Sequence, residues 1–465
     1  MAERITRRQL LAGAGATAGA AAVASATVFA DEIGKEPVPS RLVDRVVRTT
    51  CSPNCTGSCG QLAFVRDGRI VKIQQAADYP DPVYSPRGCM KGLSFHLHIY
   101  GPDRITRPLI RTGERGSGEF REASWEEALD VAAAGLRRIK ERFGAGALAG
   151  FGSAKGSNEE AYLFQKLVRT AFGTNNVDHC TRLCHASSVA ALMEGIGTGA
   201  VTAPFTEALN ADLIVVIGAN PTENHPVAAT YIKQAVARGA KLVVMDPRGQ
   251  ALARHATWML QFTPGSDVAL LTALLNVVVS EGLYDRQYVA AHLQGFEELA
   301  AHVRAFPPEA MAPLCGIPAD TLREVARAFA RARAAIVFWG MGVSQHTHGT
   351  DNCRALIALT LICGHVGRPG TGLHPLRGQN NVQGASDAGL IPMVFPDYHK
   401  VGDAAWRAKL EALWGHPLDP APGLTVVEII EAAAARSEEH TSKLQSHVNL
   451  VCRLLLEKKK KKKKK

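Results

Sequence analysis

The sequence predicts a multidomain α/β protein, and three observations lead to this prediction. The chain has 465 residues, which is more than one hydrophobic core normally supports. Residues 211–249 read as strand, helix and strand, with the continuous apolar runs that are typical of buried parallel strands. Four cysteines near the amino terminus indicate a separate small module built around a metal centre.

The first 30 residues have the pattern of an export signal. Arg7 and Arg8 form a twin-arginine pair, a run of small apolar residues follows, and the sequence VFA before Asp31 suits cleavage. The run is too rich in alanine and glycine for a membrane span. Because the twin-arginine pathway exports folded proteins, we expect the mature chain to be periplasmic.

Residues 436–465 end in a run of lysines and resemble a translated sequencing adapter followed by poly-A. We expect this tail to be non-native and the gene to be truncated, with a solvated basic tail as the alternative. The tail and the signal together account for the formal net charge of +10, so the rest of the chain is close to neutral. The charge therefore gives no evidence for nucleic-acid binding.

The cysteines of the amino-terminal module have the spacing of a cluster. The sequence CSPNCTGSCG contains Cys51, Cys55 and Cys59, and Cys89 follows in PRGCMKG. Three close thiolates and a distant fourth fit a 4Fe–4S cluster. Zinc sites usually have two close pairs of ligands, and disulfides are the alternative in an exported protein. Between the ligands, QLAFVRDGRIVKIQQ alternates like a β-hairpin with Asp-Gly at its turn.

The strand–helix–strand region predicts a nucleotide crevice. Gly218 ends the first strand, where it allows a phosphate to approach, and Asp246 ends the second, where it can accept hydrogen bonds from a ribose or base. Pro226 is placed to begin the intervening helix, and Gly239 can end it. Because the region lacks GxGxxG, it does not predict ordinary NAD binding.

The sequence HCTRLCHASSVA, from residue 179 to residue 190, holds two cysteines and two histidines. Three residues separate Cys180 from Cys184, whereas c-type haem attachment needs two, and a zinc site would lack partner spacing. A helix-like run follows Cys184, and a helix amino terminus lowers the pKa of a thiol. A thiolate at Cys184 would be a soft ligand of the kind that suits molybdenum, and the alternative is a buried structural cysteine beside a core histidine. We expect Cys180 to be structural.

Together these motifs resemble the molybdopterin oxidoreductases of the dimethyl sulfoxide reductase superfamily, over essentially all of residues 45–435. The resemblance implies an amino-terminal iron–sulfur domain at 31–105 and a central molybdopterin-binding α/β domain at 180–378, which is Rossmann-like. It implies a second, discontinuous α/β domain from residues 106–179 and 379–435. The β-barrel cap that completes the family's fold is expected to be missing from this truncated chain.

The resemblance also implies the cofactors. A molybdenum or tungsten ion is expected to be held by two molybdopterin guanine dinucleotides, with Lys91 between the cluster and a pterin. The stretches GANPTENHP, MDPR, TPGSD, GMGVSQ and RGQNNVQGA match dinucleotide-binding regions of the family. The residues expected to bind the dinucleotides are Gly218, Asn220, Asp246, Gly265, Asp267, Gly342, Gln345 and Gln379.

Within the superfamily, NNVDHCTRLCHASSVAAL most resembles the metal-ligand segment of formate dehydrogenases. In those enzymes a cysteine or selenocysteine ligates the metal and a histidine follows it, and Cys184 and His185 match these two positions. Arg377, in LHPLRGQNNVQGASDAG, matches their active-site arginine. A guanidinium fork pairs two-to-two with a carboxylate, which formate is.

The resemblance therefore implies a formate dehydrogenase catalytic subunit that oxidises formate to CO2. Arg377 would bind formate, His185 would orient it and handle the proton, and electrons would leave past Lys91. An iron–sulfur subunit and a membrane quinone-linked subunit are the expected partners. One alternative is a reductase of nitrate, thiosulfate, polysulfide or a sulfoxide, because the spacing of Cys51 and Cys55 resembles nitrate and sulfoxide reductases. Another is an inactive truncated fragment.

Overall fold

The computed structural model of the protein describes residues 43–53, 55, 57–78 and 88–435. The predicted export signal and the predicted non-native tail lie outside these residues. The described residues form two compact units, one of residues 43–53, 57–78 and 88–104 and one of residue 55 with residues 105–435. No helix in the described part of the chain is long and apolar enough to cross a membrane.

The first unit is a three-stranded antiparallel sheet with two short helices. Its strands, in sheet order, are β1 (Arg45–Thr50), β2 (Gly60–Arg66) and β3 (Arg69–Gln75). Its helices are α1 (Met90–Leu93) and α2 (Phe95–Ile99). Strands β2 and β3 form the predicted hairpin, and Asp67 and Gly68 at its turn have φ angles of 50° and 71°. Positive φ at both positions is what a tight hairpin turn requires.

The second unit contains nine strands and sixteen helices among the described residues. The strands are β4 (Leu109–Arg111), β5 (Phe120–Glu122), β6 (Gly150–Gly152), β7 (Val177–His179), β8 (Leu213–Ile217), β9 (Lys241–Met245), β10 (Trp258–Leu260), β11 (Ala335–Trp339) and β12 (Gly372–Pro375). The helices are α3 (Trp125–Phe143), α4 (Asn158–Leu167), α5 (Thr181–Cys184), α6 (Ala186–Ile196), α7 (Pro221–Asn224), α8 (Pro226–Ala237), α9 (Asp267–Ser280), α10 (Arg286–His292), α11 (Phe296–Val303), α12 (Pro308–Cys315), α13 (Ala319–Arg331), α14 (Met341–Ser344), α15 (Gly349–Ile362), α16 (Val382–Asp387), α17 (Ala404–Trp414) and α18 (Val426–Ala435). A π-helical turn, Val168–Phe172, continues α4, and 3-10 turns lie at Ala145–Ala147, Phe205–Asn210, Ala251–His255 and Pro396–Tyr398.

Five strands of this unit form an entirely parallel sheet in the order β10-β9-β8-β11-β12. All five residues of β8 are buried, as its continuous apolar sequence predicts, and α8 begins at Pro226 as expected. The chain order reverses between β8 and its neighbour β11. Such a reversal opens a crevice at the carboxyl ends of the strands, where α/β proteins bind ligands. The predicted Rossmann-like α/β fold is therefore confirmed.

Helices cover the sheet to different depths. Helix α9 is apolar along most of its length and is largely buried. Helix α13 is amphipathic, and its buried residues at helical spacing are Leu322, Val325, Ala326 and Phe329. None of the residues of helix α3 is buried, and its Trp125 and Leu129 are exposed.

A second, smaller core joins two segments that are distant in sequence. Its buried residues are Ala154, Ala161, Val168, Val177, Val382, Ala385 and Leu390. Beside it, the buried Arg169 donates hydrogen bonds to backbone carbonyls of residues 389, 391 and 394. The chain thus leaves this core after β7 and returns to it with α16. The exact bounds of the discontinuous domain stay a prediction.

Candidate active site

The crevice of the parallel sheet lies where β8 and β11 end. Gly218, which follows β8, has a φ of 58°, and a Cβ on it would lie 2.7 Å from the Val343 nitrogen. A Cβ on Gly342 would similarly lie 2.7 Å from the Gly218 oxygen. Two backbone segments therefore pass so closely that only glycine fits, and their peptide groups can face a ligand directly.

A cavity of about 430 Å³ opens at this crevice. The predicted dinucleotide-binding residues that line it are Gly218, Asn220, Asp246, Gly265, Asp267 and Gly342. Gln345 and Gln379 are not among its lining residues, and the amide of Gln345 donates to the Leu183 carbonyl instead. Six positions predicted from separate stretches of sequence thus meet in one cavity.

The two buried carboxylates of this cavity differ in their contacts. Asp246 accepts hydrogen bonds from the Arg248 backbone N–H at 2.8 Å and from Gln250 Nε2 at 3.1 Å. Asp267 is completely buried, and neither of its carboxylate oxygens has a hydrogen-bond partner among the described residues. Burial raises the pKa of Asp267. Two adjacent acceptors would be satisfied by the two N–H donors on one edge of guanine, so the cavity fits the expected dinucleotide.

Cys184 is the last residue of α5, and α6 begins two residues later. The thiol is buried, and its sulfur lies 3.7 Å from the Met341 sulfur. Burial raises the pKa of Cys184, which corrects the expectation that the helix terminus would lower it. Loss of water around the sulfur outweighs the opposing effects, a hydrogen bond from the Gly378 backbone and the charge of Arg377. A cation bound to the sulfur would reverse this balance, as metal ions do for thiols.

His185 is fully buried beside Cys184. Its Nε2 lies 3.3 Å from the Leu376 carbonyl oxygen, and its Nδ1 lies 3.1 Å from Ser188 Oγ and 3.3 Å from Ser344 Oγ. Burial, reinforced by the charge of Arg377, lowers the pKa of His185 to about 4, so the ring is neutral at pH 7. A carbonyl only accepts, so the ring proton lies on Nε2 and a hydroxyl donates to Nδ1.

Arg377 lies two residues beyond β12, and it is 7% exposed. One terminal nitrogen donates to the Gly199 carbonyl, while Nε is buried without a hydrogen-bond partner among the described residues. Burial lowers the pKa of Arg377, although a guanidinium stays protonated at neutral pH. The structure therefore brings Cys184, His185 and Arg377 together. The buried Arg377 guanidinium can donate the N–H of its Nε to a ligand.

His225 is a residue of this site that the sequence reasoning missed. Its Nε2 donates to the Arg377 carbonyl at 2.8 Å, and the side chain is buried. It precedes α8 and lines the cavity. His225 belongs to the stretch GANPTENHP, but its contact with Arg377 could not be predicted, because the two residues lie 152 positions apart along the chain.

The first unit holds three of the predicted cluster ligands. The Cys51 amide donates to the Cys59 carbonyl at 2.8 Å, and Cys89 occupies the residue before α1. A Cβ on Gly92 would lie 2.7 Å from the Cys51 sulfur, so glycine lets α1 approach this thiol. Cys55 is half-buried, and Lys91 is exposed. No cysteine in the described part of the chain forms a disulfide, and thiolates are the ligands that a 4Fe–4S cluster uses.

Replacing Cys55 with alanine is expected to abolish the spectrum of a four-iron cluster, because the cluster needs four thiolate ligands. The measurement is electron paramagnetic resonance of the anaerobically reduced protein, together with its iron content. Cys315→Ala is the matched control, because Cys315 is buried in the core of the parallel sheet and should not affect the cluster. An unchanged four-iron spectrum in Cys55→Ala would exclude Cys55 as a ligand.

Comparison with known proteins identifies the family. Residues 104–453 match the model of the molybdopterin oxidoreductase family, and residues 44–101 match its Fe4S4 domain. The first match runs past Arg436, and the origin of the tail predicted to begin there stays a prediction. These matches confirm the predicted 4Fe–4S cluster and the molybdenum or tungsten molybdopterin cofactor.

Two relatives and one solved structure illustrate the similarity. The F420-dependent formate dehydrogenase subunit alpha of Methanocaldococcus jannaschii is 39% identical over 387 residues, which are 83% of this chain and 55% of the relative. Formate dehydrogenase H of Escherichia coli is 38% identical over 400 residues, 83% of this chain and 54% of the relative. Acetylene hydratase from Pelobacter acetylenicus superposes with a TM-score of 0.61 at 27% identity, covering 70% of this chain and 44% of that one.

The chain thus spans about half the length of the curated relatives it matches. The match to the family model nevertheless covers most of the chain, and the crevice and thiols have the residues that the cofactors need. The chain therefore belongs to the molybdopterin oxidoreductase family.

Proposed function

We propose that the protein is the catalytic subunit of a formate dehydrogenase and oxidises formate to CO2 with the release of two electrons. The observation that carries this proposal is the buried guanidinium of Arg377, whose Nε donor has no partner among the described residues. Its charge acts on the Cys184 thiol, which places a cation beside the proposed metal ligand. Relatives named formate dehydrogenases, 38–40% identical over most of this chain, support the same substrate.

Formate binding has a clear physical basis in these residues. Burying a guanidinium is costly unless a carboxylate pairs with it, and among the described residues no carboxylate forms an ion pair with Arg377. A small planar carboxylate offsets that cost by accepting two parallel N–H bonds from the fork. Arg377 would thus hold formate next to Cys184. The molybdopterin metal, when it is bound at Cys184, would accept the two electrons.

His185 contributes mainly orientation in this proposal. Its Nε2–H is engaged by the Leu376 carbonyl, and its Nδ1 accepts from Ser188 or Ser344. These contacts support an orienting role for the ring, while its proposed handling of the proton stays a prediction. Electrons would leave past Lys91 through the 4Fe–4S cluster to an iron–sulfur subunit, and from there to a membrane quinone-linked subunit.

Replacing Arg377 with lysine is expected to lower kcat/KM for formate by about 10- to 100-fold. Lysine keeps the charge but loses the planar fork, and the loss corresponds to the roughly 1–3 kcal/mol of one charge-assisted hydrogen bond. The measurement is formate-dependent dye reduction, normalised to bound metal. Arg182→Lys is the matched control, because a lysine there can keep the ion pair with Asp178, which is 2.9 Å long. Equal turnover in both variants would argue against Arg377 as the formate-binding group.

A second candidate function is reduction of an oxyanion or sulfur compound. It is favoured by the spacing of Cys51 and Cys55, which resembles nitrate and sulfoxide reductases. The Arg377 guanidinium would bind nitrate by the same charge and planarity that suit formate. Assays of nitrate, sulfoxide and thiosulfate reduction, run beside the formate assay, separate the two functions. A metal-loaded preparation that reduces one of these acceptors and ignores formate would establish the second function.

We also propose that the protein is exported by the twin-arginine pathway to the periplasm. The support is the pair Arg7 and Arg8 before a run of small apolar residues. Replacing both arginines with lysine should leave the precursor in the cytoplasm, because the receptor of this pathway reads the arginine pair. Cell fractionation measures the outcome, and normal periplasmic arrival of the double variant would contradict export by this route.

A further inference from the structure

The guanidinium of Arg377 depends on its backbone for its placement. The last hydrogen bond that extends the sheet runs from the Leu376 N–H to the Trp339 carbonyl at 2.7 Å. Arg377 follows beyond this bond, and its side chain donates to the Gly199 carbonyl. Because few side-chain contacts hold the guanidinium, small movements of segment 376–377 would displace the group that meets the substrate.

Two buried histidines contact this segment at consecutive carbonyl groups. His185 Nε2 lies 3.3 Å from the Leu376 oxygen, and His225 Nε2 lies 2.8 Å from the Arg377 oxygen. A carbonyl oxygen can only accept, so both rings carry a proton on Nε2 and donate it. The two side chains come from different parts of the chain, one from the start of α6 and one from the start of α8.

The His185 ring is held from its other side as well. Its Nδ1 accepts from Ser188 or Ser344, and the Trp339 indole N–H donates to Ser188 Oγ at 2.9 Å. The Trp339 indole can only donate and the Leu376 carbonyl can only accept. Together they set the direction of each hydrogen bond in the series from Trp339 through Ser188 and His185 to Leu376. The His185 ring is therefore anchored independently of any substrate, and His225 provides the remaining contact to the Arg377 carbonyl.

We propose that His225 is a positioning residue, which fixes the Arg377 backbone and thereby aims the guanidinium at the substrate anion. With His185, it forms a histidine clamp, defined as the two Nε2–H donors on the carbonyls of Leu376 and Arg377. The proposal rests on the proposed function only in naming formate as that anion. Any planar anion held by Arg377 would depend on the clamp in the same way.

Two substitutions of His225 separate the hydrogen bond from the bulk of the ring. Glutamine can place its amide N–H₂ close to the position of Nε2 and keep the donor, whereas leucine fills similar space without one. His225→Leu is expected to raise KM for formate about tenfold, with kcat changed less than about threefold, since loss of ground-state positioning acts on binding. His225→Gln is expected to stay within about threefold of the unchanged protein in both constants.

His365→Leu is the matched control. His365 is also buried, and its Nε2 lies 3.0 Å from a backbone carbonyl, that of Phe329. Its loss measures the general effect of deleting one buried imidazole–carbonyl bond, and it should leave KM unchanged. All rates are normalised to bound metal, because His225 also lines the dinucleotide cavity. If His225→Leu does not fold, His225→Asn replaces it, since the shorter amide cannot reach the Arg377 oxygen.

A readout without turnover completes the test. Calorimetric affinity of the holoenzyme for nitrate, a planar anion of the same charge as formate, should fall about tenfold in His225→Leu and stay unchanged in His365→Leu. A nitrate affinity and a KM that match the control would overturn the positioning role. If the protein never oxidises formate but its anion affinity still depends on His225, the proposed function fails and the clamp stands.

Discussion

Replacing Cys184 with alanine is expected to lower formate oxidation by about a thousandfold or more, the scale seen when a group at the reaction centre is removed. Cys184 is the proposed protein ligand of the metal, and burial raises the pKa of its thiol. A buried thiolate is stable only beside a cation, so the sulfur and the metal stabilise each other. Alanine would remove the proposed ligand and leave the metal without a bond to this side chain.

The measurement combines metal content with formate-dependent dye reduction. Cys180→Ala is the matched control on the same segment, because the Cys180 sulfur only accepts a long hydrogen bond, 3.4 Å, from the Ala154 N–H. That variant should keep most of its activity. Full turnover in a metal-loaded Cys184→Ala protein would show that another residue, or none, ligates the metal.

The largest expected effect on stability comes from Arg169. The side chain is 2% exposed, and the groups that accept its hydrogen bonds are all uncharged. These are the side-chain oxygens of Gln165 and Asn175 and the carbonyls of Gly389, Ile391 and Val394. Burial lowers the pKa of Arg169 to about 9, so the guanidinium is still protonated at pH 7.

Arg169→Met is expected to lower the free energy of unfolding by about 3–5 kcal/mol, because methionine leaves several buried acceptors without donors. The measurement is the midpoint of urea unfolding at constant m-value. Arg354→Met is the matched control, since Arg354 forms exposed ion pairs with Glu194 and Asp351. Its cost should stay under about 1 kcal/mol, the usual range of a surface pair. Equal midpoints for the two variants would contradict the role of Arg169.

Local patterns predicted much of the fold. The apolar run of β8, the proline that begins α8 and the Asp-Gly turn between β2 and β3 each act over a few residues, and the structure contains all three features. The meeting of Cys184 with Arg377 could not be predicted in this way, because they lie 193 positions apart in the sequence and no local rule connects them. Only the resemblance to a known family placed them in one site.

The features that sequence reasoning missed depend on burial by distant segments. A helix terminus lowers the pKa of a thiol, yet the pKa of Cys184 is raised, because residues far along the chain exclude water from it. The partner of His225 lies 152 residues away, and the backbone carbonyls that accept from Arg169 lie 220 or more residues away. Such contacts become visible only when the whole sheet and the second core are assembled.

The bonds from Arg169 to the 389–394 segment also constrain the order of events during synthesis. Ribosomes add about 5–20 residues per second, so roughly 10–40 s pass between the appearance of Arg169 and that of its carbonyl partners. In that interval the complete parallel sheet, from β8 to β12, has already been made. The nascent chain can therefore form the core of the parallel sheet first. Residues 389–394 are made later, and until they bind Arg169 its guanidinium stays hydrated.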